Sequence, residues 1–181
     1  MALAATLSIT GTATGTADTK PPAPGATCDT ASPTQPSDYV CDSTVAGPFT
    51  LTELGSGTYS GEVQLDWSIY TSSAPCAEAS GTVTFSAGPD SITSTLDAKS
   101  RVCESQPVSD TYTMDLQSTV ISGTGRFASA TGTFETLGNL VETTTPGQFT
   151  ITEAIQGTVT VPDPAPTPTT TPTPSAAPTA T

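Results

Sequence analysis

Glu153 is the residue whose surroundings most invite chemistry. Phe149, Ile151, Ile155, Val159 and Val161 share one parity near the end of the chain, and only Glu153 and Gly157 interrupt them. If that run is a strand, one face of it turns inward and Glu153 goes with it. A carboxyl group there loses hydration, its pKa rises, and it becomes a candidate acid or base. The alternative placement is near a barrel end or beside a bulge. Arg126 is the second candidate. Around these two the chemistry is sparse. The chain has no His, which removes the commonest general base and the commonest metal ligand. The sequence therefore commits to no catalytic set, no metal site and no cofactor, and it leans away from an enzyme. Gly123-Thr124-Gly125-Arg126-Phe127-Ala128 does spell the G-x-G-x-x-A dinucleotide fingerprint. That fingerprint needs a helix after it, and Thr131 to Phe134 reads as strand.

Four cysteines stand at 28, 41, 76 and 103. An even number with no C-x-x-C pair points to two disulfides rather than zinc. Cys28 and Cys41 lie in one Pro-rich stretch, and a local bridge is the simplest pairing. For Cys76 and Cys103 a register argument is available. Val83 and Phe85 alternate before the turn Ala87-Gly88-Pro89-Asp90, and Ile92 and Leu96 alternate after it. Pairing Val83 with Leu96 and Ala87 with Ile92, and continuing the ladder, brings Cys76 opposite Cys103. A bulge that shifts the register by one leaves this pairing intact.

These residues need strands to position them, and the composition supplies strands. Only 12% of residues are charged, and Thr, Ser, Gly and Pro take their place. Thr suits a pleated surface; Gly and Pro mark turns. Residues 7–16 have strand character. Phe49 and Leu51 alternate with Thr50 and Thr52, Glu53 following on the apolar parity. Val63, Leu65, Trp67 and Ile69 form the cleanest alternating run, with Glu62, Asp66 and Tyr70 on the opposite side, facing solvent or, for Asp66 with Tyr70, lining a groove. Trp67 reads as a core anchor. Tyr112, Met114, Leu116, Ser118 and Val120 share a later face, and Thr133 to Val141 reads as a strand broken at Gly138-Asn139. Lys99 and Arg101 are expected to pair with nearby acids. The whole predicts an all-β fold, an antiparallel β-barrel of about eight short strands, with a β-sandwich as the alternative. The expected divisions are an N-terminal strand over 1–19, able to exchange with a neighbour, a Pro-rich disulfide loop or linker over 20–44, a barrel over 45–161, and a disordered low-complexity tail over 162–181.

The stretch Ser122-Gly123-Thr124-Gly125-Arg126-Phe127-Ala128-Ser129-Ala130-Thr131-Gly132 resembles one found between two strands in the barrel superfamily of dirigent proteins and allene oxide cyclases, and in many bacterial secreted proteins. It covers about ten residues, or residues 110–140 with the flanking strands. The resemblance implies an eight-stranded antiparallel barrel in which the glycines form tight turns, Phe127 plugs one end, and Arg126 either caps carbonyls or pairs with an acid, or anchors a ligand at the barrel mouth. It also implies a cavity that takes oxylipin or phenoxy-radical substrates, although no catalytic residue of those families maps onto this chain.

The formal net charge is −13 and the basic residues are four: Lys20, Lys99, Arg101 and Arg126. Four scattered cations make no nucleic-acid footprint. No run of about 20 apolar residues exists to span a membrane. The first residues lack the basic and apolar regions of an export signal, so an exported form would be a trimmed one. The tail PDPAPTPTTTPTPSAAPTAT has the composition of an extended, O-glycosylated stalk. Two functional expectations follow. The first is a non-catalytic secreted or cell-surface structural module, a filament or surface-assembly subunit joined by strand donation, with itself, other extracellular proteins or glycans as partners. The second is a barrel that binds or isomerises a small apolar ligand, with Glu153 or Arg126 at the cavity wall.

Overall fold

The alternating runs become strands because each has one apolar and one Thr-rich face, and closing the sheet on itself buries all the apolar faces at once. The computed structural model describes residues 4–20, 40–69, 76–105 and 111–162. Nine strands are present among them: β1 (Ala5–Lys20), β2 (Val40–Leu51), β3 (Gly55–Asp66), β4 (Cys76–Ala87), β5 (Asp90–Leu96), β6 (Arg101–Glu104), β7 (Thr111–Thr124), β8 (Thr131–Glu142) and β9 (Gln148–Val161). Every pairing is antiparallel. The order β3-β2-β1-β9-β8-β7-β5-β4 closes through β3–β4, so the fold is an antiparallel barrel and not a sandwich. β6 pairs with the same neighbours as β5, namely β4 and β7. The two are halves of one interrupted strand, and the barrel has eight positions.

β1 occupies one of those positions. It pairs with β9 from Ala5↔Val161 to Asp18↔Gln148, and with β2 from Gly11↔Leu51 to Lys20↔Asp42. The described barrel thus starts at Ala5 rather than at residue 45, and β2 begins at Val40. Most of the expected 20–44 linker, including Cys28, and nearly all of the tail lie outside the described residues.

The hairpin register differs from expectation in an instructive way. Val83 faces Ser94, not Leu96, and Ala87 faces Asp90, so the turn is the pair Gly88-Pro89. After the break at 97–100 the ladder resumes with Cys76↔Cys103, and the two form a disulfide joining β4 to β6. The break absorbs a two-residue slip, and a slip of two keeps every side chain on its own face. Ser100 seals the gap. It is fully buried, its Oγ donates to the Gln117 carbonyl at 2.8 Å, and it accepts from the Gln117 N–H at 3.0 Å. A bulge then reverses the parity of β7. Thr93 faces Ser122 while Ser94 faces Val120, which leaves Ile121 unpaired and 55% exposed.

Inside the barrel the side chains form two apolar clusters. One holds Ile9, Phe49, Phe85, Phe127, Phe134 and Val159; the other holds Leu65, Trp67, Val102, Met114, Leu140 and Ile151. Among the described residues no helix is long and apolar enough to cross a membrane.

A cavity inside the barrel

Along β9 the alternation turns Ile151, Glu153 and Ile155 inward, all less than a tenth exposed. Glu153 therefore sits in mid-barrel, not at an end or a bulge. Its neighbours across the ladder are Ala13 of β1 and Gly138 of β8. Both are small, and Gly138 has to be. A Cβ there would lie 2.9 Å from the Glu153 Cβ. The Gly138-Asn139 pair that looked like a strand break is instead an unbroken part of β8, trimmed to admit the carboxyl side chain.

Tyr59 of β3 shares the space. Its backbone partner on β2 is Gly47, and its Oη lies over Gly15 of β1 in the position a Cβ would fill. The side chain is 3% exposed and Oη has no hydrogen-bond partner among the described residues. Its ring is held by Phe85, 5.9 Å away between centroids. Sequence inspection did not single out Tyr59. The signal was present, since Tyr59 lies on the parity of Val63, Leu65 and Trp67.

Electrostatics set these two groups apart. Burial pushes the Glu153 carboxyl up to about 7, and burial is the sole cause of the shift. No cation offsets it: the ion pairs among the described residues are Lys20–Asp18, Arg101–Glu78 and Arg126–Asp90. The Tyr59 hydroxyl is pushed well above the ordinary phenol range, first by burial and second by the negative charge of Glu153. At neutral pH Tyr59 is a donor, and Glu153 stands near the midpoint between donor and anion.

Both groups face one small cavity, walled by Val63, Leu65, Phe85, Met114 and Ile151, with the Ser94 and Ser118 hydroxyls as further polar groups. A second space of about 190 Å³ adjoins it through the shared walls Leu65, Val102 and Leu140 and runs toward Trp67. There Trp67, Tyr112 and Phe149 form an aromatic row, with centroids 6.0 and 5.6 Å apart. Glu142 lies beside them.

Arg126 is elsewhere. It sits at the opposite end of the barrel, in the connection between β7 and β8. Its backbone N–H donates to Asp90 Oδ1 at 2.9 Å, its Nε donates to Asp90 Oδ2 at 2.7 Å, and a terminal nitrogen donates to the Glu53 carbonyl at 2.8 Å. Thr124 Oγ1 adds a bond to the Pro89 carbonyl at 2.9 Å. The arginine thus ties three connections into one knot. Phe127, 1% exposed, plugs the barrel beneath it. The two Arg126 hydrogen bonds, backbone first, hold the Asp90 carboxyl below the usual carboxylate range. The two sequence candidates are therefore not brought together: Glu153 lines the cavity and Arg126 does not.

The remaining sequence candidates have plain roles. Trp67 is buried, while Ile69 is 43% exposed because a 3-10 turn over Trp67–Ile69 ends the alternation. Arg101 pairs with Glu78 at 2.9 Å. Asp66 accepts from the Ser68 N–H at 2.8 Å. Cys41 is buried and disulfide-bonded, and its expected partner Cys28 lies outside the described residues. Among the described residues no group of three His, Cys, Asp or Glu could hold a metal ion. No family model, curated protein or solved structure matches this chain.

Proposed function

We propose that the chain is a binding barrel that holds a small, largely apolar molecule in its interior, reached from the Trp67 end. The observation that carries this reading is a pair of buried polar groups, one without a hydrogen-bond partner and one without a compensating charge. Tyr59 Oη has no hydrogen-bond partner among the described residues and Glu153 has no cation against it, yet both face a largely apolar cavity whose other polar side chains are the hydroxyls of Ser43, Ser94, Ser118 and Thr136. Leaving such groups unpaired costs free energy, of the order of 1–3 kcal/mol for each neutral one. A fold that only needed filling would place Leu or Phe at these positions. The reading is a binding function rather than catalysis, because the cavity wall supplies no third titratable group to move a proton. The resemblance to the dirigent and allene oxide cyclase superfamily points the same way, since an eight-stranded antiparallel barrel is the scaffold it implies.

The test uses toluene as a neutral, featureless occupant. Saturable binding is expected, with shifts in the methyl resonances of Leu65, Met114 and Ile151 and a change in Trp67 emission. Trp67 is the one tryptophan of the chain, so its fluorescence reports on the cavity alone. Toluene that perturbs none of these residues, or does so without saturating, sinks the reading.

A second reading, the extracellular structural module, draws on the outer face. Across β2, β1, β9 and β8 the outward row Ala46, Thr16, Thr150 and Val141 is uncharged, as is the row Thr50, Thr12, Ala154 and Leu137. Val141 and Leu137 are 44% and 46% exposed. In a chain of net charge −13 such a face suits contact with another surface.

A further inference from the structure

We propose that the barrel recognises its ligand by an acceptor oxygen, the carbonyl of a ketone, aldehyde or ester on an apolar skeleton, held between Tyr59 Oη and the Glu153 carboxyl group. The proposal rests on the binding reading above and specifies what is bound.

The geometry of β1 sets the spacing. Tyr59 Oη lies over Gly15, and Glu153 projects from opposite Ala13. Those two inward positions are two residues apart, or about 7 Å along the strand. Two hydrogen bonds of about 2.8 Å meeting at one oxygen at about 120° span about 5 Å, and the Glu153 side chain, free to turn in the cavity, makes up the difference. A carbonyl oxygen has two lone pairs and no hydrogen to satisfy. It accepts from both sides and brings nothing that needs an acceptor in return.

The competing class is an alkylamine, which would pair with an ionised Glu153. That choice asks the cavity to hold two charges within walls of Val63, Leu65, Phe85, Met114 and Ile151. Desolvating both ions costs several kcal/mol per ion before their attraction repays it. It also gives the Tyr59 proton no acceptor on the ligand. The neutral state of Glu153 has support from its surroundings. Facing it from the packed elements are Tyr59 of β3, Ala13 of β1 and Gly138 of β8, while Tyr112 and Glu142 stand further off, at the Trp67 end. None of these is a cation. Burial pushes the carboxyl up to about 7, so below that pH it is a donor.

The skeleton has a direction. From Phe149 at the aromatic row to Glu153 is four residues of β9, or about 13 Å of strand. A ligand with its oxygen at Glu153 therefore lays its apolar portion past Leu65 and Leu140 toward Trp67, through the adjoining space.

The experiment titrates the full chain with 2-octanone, octane and octylamine, matched in length, and reads Trp67 fluorescence and the infrared carbonyl stretch of carbonyl-labelled 2-octanone. The variants are Tyr59→Phe, Glu153→Leu and Glu153→Gln. None removes core volume, and the first two replace unpaired polar groups with apolar ones, so thermal unfolding is expected to stay cooperative. The expected result is that 2-octanone binds about tenfold more tightly than octane. Its stretch moves to lower frequency, and Tyr59→Phe and Glu153→Leu each erase most of the preference. Raising the pH from about 5 to about 9 weakens ketone binding to the wild type, because a carboxylate cannot donate. Glu153→Gln keeps a donor and so keeps ketone binding, now independent of pH. Equal affinity for octane and 2-octanone overturns the proposal while leaving the binding reading standing. Octylamine as the tightest ligand, strengthening as pH rises, also overturns it in favour of a cation site. Failure of all three to bind removes the binding reading itself.

Discussion

A carboxyl group buried with no partner titrates late, and its lateness is a statement about stability. Glu153 ionises near pH 7 in the fold and near the ordinary carboxylate value when unfolded. The folded state therefore holds its proton more tightly than the unfolded state does. The stability associated with this group is full below about pH 4.5, declines as pH rises, and is gone above about pH 7, a loss of about 3 kcal/mol. Denaturant titrations at a series of pH values are expected to show this decline in the wild type and a flat profile in Glu153→Gln. An unchanged decline in the variant would assign the titration to another group. Asp90 contributes the opposite sign: Arg126 depresses it, so its stabilisation is lost only as pH falls below the usual carboxylate range. The two windows do not overlap, which allows them to be separated. Of this pair of cavity groups the sequence revealed one. Glu153 broke an apolar parity and was visible for that reason. Tyr59 fitted its parity, and an aromatic ring on an inward face gives no sign that its hydroxyl lacks a partner.

Elements were legible where each carries one apolar face, and illegible where backbone geometry departs from the ladder. The runs at Phe49, Val63 to Leu65, Tyr112 to Val120 and Phe149 to Val161 all fall in strands with their apolar residues turned inward, while Trp67, next on the same parity, is buried from a 3-10 turn. The Cys76–Cys103 bridge was foreseen, although the register assumed for Val83 was two residues off. Both statements hold because alternation fixes the face and leaves the phase along the strand free. The break at 97–100 and the bulge at Ile121 carry no composition signal of their own. The connection between β7 and β8 is different, since its glycines are specific. Gly125 has φ +58° and a Cβ on it would collide with Asp90 Oδ1. Gly125→Ala thus meets a left-handed backbone penalty and loosens the bonds that Arg126 makes to Asp90. The expected cost is about 2 kcal/mol, read as a lowered unfolding midpoint. Hydrogen exchange should quicken in the β4–β5 turn, which the same carboxylate anchors, and not in β8 and β9 near Glu153. A uniform rise in exchange along the barrel would mean that the knot has no local role.

Closure is the property that belongs to the molecule as a whole, and it bears on how copies of the chain could assemble. A closed barrel has no free edge to template a neighbour. β1 is the strand whose departure would create two edges at once, on β2 and on β9. It is also the first of the described strands, and a long stretch of chain from Lys20 to Val40 separates it from β2. Leaving requires breaking the ladder to β9 along almost its full length together with the ladder to β2. That amounts to opening the barrel, with an energy close to global unfolding. Exchange under native conditions is therefore expected to be slow, and light scattering of freshly folded protein should give a monomer mass. Refolding from denaturant should give a dimer fraction that rises with protein concentration, because β1 then finds a neighbour's β2 and β9 as readily as its own. Shortening the Lys20 to Val40 connection should raise that fraction further by making the return to its own barrel harder. A chain lacking residues 1–20 should aggregate through its exposed edges and be rescued by a peptide spanning residues 4–20. If the deleted chain instead stays soluble and folded, β1 is dispensable to the barrel and closure is not what holds the molecule together. If native protein is already polymeric and the peptide dissolves the polymer, exchange of β1 is the resting state, and the uncharged outer face need not be invoked.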